Sequence, residues 1–144
     1  MRIDGEWLLC DDGVRRPIIR GEILTGYGSW EPAEFLIDTG ADRTVFTASL
    51  LAVLRLQATV PQHRLGGVGG LADAVVVETQ IRFNHEEARK VVFRGQYAAV
   101  TSLEILDISV LGRDIARLFA VIIDQPGDIV CLLGQRHQYT IVQR

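Results

Sequence analysis

Residues 74–83 carry the clearest periodic signal in the chain, with Val75, Val77, Thr79, Ile81 and Phe83 alternating with Val76, Glu78, Gln80 and Arg82. A period of two predicts a strand with one face in a core. Residues 90–100 extend the β pattern. Trp7-Leu8-Leu9-Cys10 and Pro17-Ile18-Ile19 flank Asp11-Asp12-Gly13, which predicts a hairpin, and a second strand pair brackets residues 26–32. Phe35, Leu36 and Ile37 form an unbroken apolar run ending at Asp38 and predict a strand buried on both faces. Thr47 can cap a short helix through Ser49, Leu50, Leu51, Val53 and Leu54. Residues 108–119 read as a buried strand that turns at Gly112 into a short helix, with Asp114 near its positive end. Ile122-Ile123-Asp124 and Ile129-Val130 bracket a Pro126-Gly127 turn. The sum predicts a compact, mainly β chain with one or two short helices.

Two glycine-bearing segments carry candidate chemistry. Asp38-Thr39-Gly40 sets a carboxylate at the end of an apolar strand, and Gly66, Gly67, Gly69 and Gly70 surround Val68 just before the period-two strand. Four glycines in five positions permit a hairpin tip that bends and lets another backbone approach closely. Residues 67–72 also fit a dinucleotide-binding pattern formally, but that site needs a helix next, and a β pattern follows here. Asp124 follows two isoleucines as Asp38 follows Leu36 and Ile37. Its successor is Gln-Pro, so it reads as the start of a turn and not as a second reactive acid.

Three segments in order, Asp38-Thr39-Gly40-Ala41-Asp42, residues 65–71, and Val110-Leu111-Gly112-Arg113-Asp114, resemble the retropepsin family, the single-domain dimeric aspartic proteases of retroviruses and their cellular and bacterial relatives. The resemblance covers residues 21–133 of one domain spanning 1–144, with 134–144 as a C-terminal extension. It implies a closed, barrel-like acid-protease fold with one lobe per chain. Asp38 would be the catalytic carboxylate, Thr39 would hydrogen-bond across a two-fold axis, and Gly40 would let the loop turn. Ala41, Asp42, Arg43, Gly66, Gly67, Val68, Gly69 and Gly70 would contact substrate, the glycine-rich hairpin acting as a flap. Asp42 and Arg113 would form an internal ion pair. In the viral members interleaved chain termini seal the dimer, and the extension here leaves that mode open.

A single Asp-Thr-Gly in 144 residues means that the second carboxylate must come from another copy, so the resemblance implies a homodimer. It implies peptide-bond hydrolysis by a water held between two Asp38 side chains. Ala41 offers no hydroxyl to that pair, so a mildly acidic optimum is expected.

Composition narrows the remaining classes. Hydrophobic residues make up 48% of the chain, an excess that suits a buried dimer interface, and no apolar run reaches the 18 residues of a membrane span. The net charge is −3, and the arginines are scattered without a basic patch for nucleic acid. Cys10 and Cys131 with no signal peptide point to reduced thiols and a cytoplasmic location. His63, His85 and His137 have no metal-ligand spacing, so neither metal nor cofactor is implied. Three readings follow: an active dimeric peptidase, a dimeric peptide- or protein-binding module on the same fold, and a structural domain with an incidental Asp-Thr-Gly.

Overall fold

The computed structural model describes residues 1–60, 65–67 and 70–134. Two short strands, β1 (Arg2–Asp4) and β2 (Glu6–Leu9), lead through the Asp-Gly turn into β3 (Arg15–Leu24), which a tight turn connects to β4 (Trp30–Ile37). After β5 (Val45–Phe46) comes helix α1 (Ala48–Leu54), begun where the Thr47 hydroxyl accepts the Leu50 N–H at 3.1 Å. Strands β6 (Ala58–Thr59), β7 (Leu65–Gly67) and β8 (Gly70–Ala72) precede the long pair β9 (Ala74–His85) and β10 (Arg89–Val100). The chain then runs through β11 (Ser109–Leu111), helix α2 (Arg113–Ala116), β12 (Ala120–Asp124) and β13 (Ile129–Leu133).

Six of these strands close on themselves. β3 pairs with β4, β4 with β11, β11 with β5, β5 with β10, β10 with β9, and β9 returns to β3 through Glu22↔Arg82 and Ile23↔Ile81. Closure turns one face of every strand inward, so alternate residues fill a common core. Ile19 and Ile23 enter it from β3, Phe35 and Ile37 from β4, and Val77, Ile81 and Phe83 from β9. Burial of each such side chain is worth about 1.5–3 kcal/mol. Phe35 touches Phe46 and Phe83 with ring centroids 6.3 and 5.8 Å apart, and Phe93 continues the contact to Phe119 at 5.9 Å. The fold is therefore mainly β around a closed barrel, with a smaller sheet ordered β1-β13-β12 beside it.

One expectation needs correction. β4 is not buried on both faces: Phe35 and Ile37 are buried, whereas Glu34 and Leu36 are half-buried. In a barrel only the inward face of a strand meets the core. The short helix expected after Gly112 is α2, which ends at Ala116, beyond which Leu118 is exposed and Phe119 packs against Phe93. At the Asp124 turn, the Asp124 carboxylate accepts the Gly127 N–H at 2.9 Å.

Candidate active site

Strand β4 delivers Asp38 to the end of the barrel because its ladder with the parallel strand β11 runs on past Ile37↔Leu111. The Asp38 N–H donates to the Leu111 carbonyl at 3.1 Å. The chain then turns sharply: the Ala41 N–H donates to the Asp38 carbonyl at 3.2 Å, and the Gly40 N–H to Asp38 Oδ1 at 2.9 Å. A Cβ at Gly40 would stand 3.2 Å from that carboxylate oxygen, tighter than ordinary contact, so a larger residue there would push the Asp38 carboxylate by a few tenths of an ångström.

A second segment grips this loop from beneath. The N–H groups of Arg113 and Asp114, at the start of α2, donate to the carbonyls of Ala41 and Asp42 at 2.8 and 3.2 Å. In return the Thr44 N–H contacts both oxygens of Asp114 at 3.0 Å, and the Thr44 hydroxyl donates to Asp114 Oδ1 at 2.7 Å while accepting the Gly112 N–H at 3.1 Å. Gly112 sits so close that a Cβ there would run into the Arg43 carbonyl. Tyr97 lies near this network. Burial, reinforced by the negative charge of Asp114, pushes its phenol up to about 12, so it stays protonated and donates to the Phe93 carbonyl at 3.1 Å.

Above the loop stands the β7–β8 hairpin, in register Leu65↔Ala72, Gly66↔Leu71 and Gly67↔Gly70. Between hairpin and loop lies a cleft of about 590 Å³. Asp38, Gly40, Ala41, Asp42 and Arg43 line it from below, and Gly66 and Gly70 from the hairpin. Thr39 is exposed beside the cleft without lining it, Gly67 ends β7, and Val68 and Gly69 lie outside the described residues. So do His63, His137 and the extension from residue 135 onward.

Arg113 Nη2 pairs with Asp42 Oδ1 within the chain, and the pair stands at the surface, the two side chains being 57% and 79% exposed. The sequence marks Asp114 as an acid near a helix start and as the end of the third segment of the resemblance, without assigning it a partner, and Thr44 carries no signal of its own. Val100, Glu104, Ile105 and Leu106 form a further wall of the cleft that no local sequence pattern marks. Among the described residues no group of three His, Cys, Asp or Glu side chains is placed to hold a metal ion, and Cys10 and Cys131 are free thiols. No helix among them is long and apolar enough to cross a membrane.

Comparison with known proteins places this geometry. A family model described as aspartyl protease matches residues 25–115. The fold is similar to that of a retropepsin-like aspartic protease from Rickettsia conorii, with a TM-score of 0.58 at 18% identity over 92% of this chain and 90% of that one. It is also similar to EIAV protease complexed with the inhibitor HBY-793, with a TM-score of 0.52 at 24% identity over 71% of this chain and 86% of that one. At such identities the likeness is one of fold. No curated protein sequence matches the chain significantly.

Proposed function

Since the chain belongs to the aspartyl protease family, we propose that it is an aspartic endopeptidase whose reacting carboxylates are two copies of Asp38, one from each subunit of a homodimer. The observation that carries this reading is the position of Asp38, half-buried on the floor of a cleft whose opposite wall is a glycine-bearing hairpin. A carboxylate tethered by its own loop N–H and facing an open groove is placed to act on a bound chain.

Two carboxylates about 3 Å apart cannot both be ionised, so the pair holds one proton between them. A water bridging them attacks the peptide carbonyl carbon. Its proton passes to the ionised carboxylate while the protonated partner gives its proton to the carbonyl oxygen, leaving a neutral diol. The C–N bond then breaks as a carboxyl proton moves to the leaving nitrogen, yielding an acid and an amine. Thr39, exposed at the loop's turn, is available to its counterpart across the axis. Gly66 to Gly70 would fold over an extended peptide and exclude bulk water.

Cleavage of a diverse peptide pool at about pH 5–6, near the upper titration of such a dyad, by the natural chain and by Asp38→Asn tests the reading. Cuts present in the first and absent in the second are expected. Cuts that persist in Asp38→Asn, or a folded dimer that cuts nothing, would overturn it, and the second outcome would favour a binding module on the same fold.

A further inference from the structure

Among the described residues Arg43 is the one cationic side chain lining the cleft, where the other charged groups are Asp38, Asp42 and Glu104. Both of its neighbours in the chain are committed. Asp42 pairs with Arg113 and gives its carbonyl to the Asp114 N–H, while Thr44 binds the Asp114 carboxylate through its N–H and its hydroxyl. Arg43 itself is exposed, and among the described residues no hydrogen bond or ion pair holds its guanidinium. Residues 61–64, 68–69 and 135–144, which lie outside the described ones, contain no Asp or Glu, so none of these segments brings it an acidic side chain.

The side chain is unengaged, but the backbone beneath it is fixed. Gly112 crosses so closely that a Cβ there would run into the Arg43 carbonyl, and the residues before and after Arg43 are bound to α2. A long side chain launched from a rigid base loses less freedom on meeting a ligand than one carried on a mobile loop. The rest of the lining is largely aliphatic, with Val45, Leu65, Leu71, Val100, Ile105 and Val110. When the hairpin closes and water leaves, an ion pair among such side chains strengthens because the local dielectric falls.

We propose that Arg43 selects substrates bearing an aspartate or glutamate close to the scissile bond, its guanidinium taking the side-chain carboxylate through paired N–H donors. The assignment rests on reading the cleft as that of an endopeptidase. A guanidinium presents a planar fork that matches a carboxylate, and it stays charged at any working pH. At about pH 5–6 an ordinary substrate carboxyl, with a pKa near 4, is ionised as well. A cavity of about 590 Å³ is roughly 8 Å across, the span of two to three extended residues at about 3.3 Å each, so the selected acid lies within about three residues of the bond held at Asp38.

Glu104 sharpens the choice. It stands exposed on the wall built with Ile105 and Leu106, without an ion-pair partner among the described residues. It therefore repels an acid that settles on its own wall and leaves Arg43 as the attractive place for one. In a two-fold dimer each subunit brings one Arg43, so the preference should appear twice, once on either side of the scissile bond.

The test takes a peptide that the natural chain cuts, amidated so that no terminal carboxylate competes, and places Glu, Gln or Lys at each of the three positions on either side of the cut. At the positions Arg43 reads, kcat/KM should favour Glu over Gln by about 10-fold. Arg43→Gln should abolish that ratio, and Arg43→Glu should invert the order to Lys over Glu. Ratios taken within one variant do not depend on how much of it is folded or dimeric. Equal cutting of the three peptides at every position, or a Glu preference that survives in Arg43→Gln, overturns the role of Arg43 and leaves the endopeptidase standing. If the natural chain cuts nothing, the endopeptidase reading falls, and binding decides Arg43 separately. Fluorescent peptide pools that differ only in Glu against Gln are titrated with Asp38→Asn and with Asp38→Asn/Arg43→Gln. Tighter binding of the Glu pool by the first protein alone supports the assignment, and equal binding of the two pools overturns it.

Discussion

Thr44 and Asp114, seventy residues apart, hold each other by three contacts, two from the Thr44 N–H to the carboxylate at 3.0 Å and one from its hydroxyl at 2.7 Å. The hydroxyl, fully buried, also accepts the Gly112 N–H, so a single side chain joins the Asp38 loop to the strand-to-helix turn. Thr44→Val keeps the volume and deletes both bonds, leaving a buried N–H and a carboxylate oxygen short of a partner. It should cost about 2–4 kcal/mol. Thr44→Ser, which keeps the hydroxyl, should stay within about 1.5 kcal/mol of the natural chain. Urea denaturation of the two variants gives the comparison, and a Thr44→Val loss no larger than that of Thr44→Ser would show that the hydroxyl bonds do not dominate.

Glu22 and Arg82 face each other where β3 and β9 close the barrel, with Nε 2.9 Å from Oε1 and the guanidinium 4.0 Å above the Trp30 ring. Arg82, and after it Lys90, hydrogen-bond the Glu22 carboxylate and hold it below the usual glutamate range. A carboxyl depressed in the folded state binds fewer protons there than in the unfolded chain. Its contribution is therefore complete above the unfolded value of about 4.3 and is lost as pH falls through the lower folded value. Glu22→Gln should lower the melting temperature at pH 7 and flatten its decline below about pH 4.5. Melting curves of both proteins between neutral and acid pH measure this, and parallel declines would assign the acid sensitivity elsewhere.

How much of this was legible in sequence follows from the range of each contact. Asp38 at a strand end, the turns at Gly13 and Gly127, and the cap at Thr47 are set by neighbours within a few residues, and local pattern exposes them. The return of β9 to β3, the pairing of β1 with β13 and the Thr44–Asp114 clasp join residues far apart in the chain. No spacing rule predicts which polar side chain in a turn will meet a partner seventy residues away. Leu36 misled for a related reason: an apolar run marks contact on both faces, yet the outer face of a barrel strand is only partly covered.

Gly112 stands where two backbone segments cross, and a methyl group there would meet the carbonyl of Arg43. Backbone cannot step aside as a flexible side chain can, and the Thr44 hydroxyl bond to the Gly112 N–H would be strained by any shift. Gly112→Ala should therefore cost more than about 3 kcal/mol, despite an extended φ that alanine tolerates. Chemical denaturation against the natural chain checks it. A loss under about 1 kcal/mol would mean that the Arg43 segment yields easily.

Arg113 and Asp42 provide the opposite case, an ion pair between the same two segments that stands in solvent. Screening and side-chain entropy leave exposed pairs worth about 0–1 kcal/mol. The backbone bonds from Arg113 and Asp114 to the Asp42 loop persist whatever the side chain at 113. Arg113→Lys should therefore change the stability of the isolated chain by less than about 1 kcal/mol. If two copies bury this pair against one another, the guanidinium's planar fork becomes hard to replace by an ammonium, and the same variant should weaken dimerisation at least several-fold. Unfolding at a concentration that keeps the chain monomeric, compared with a dilution series followed by sedimentation, separates the two effects. A variant that loses folding stability in the monomer would show that the pair is a fastener of the fold itself.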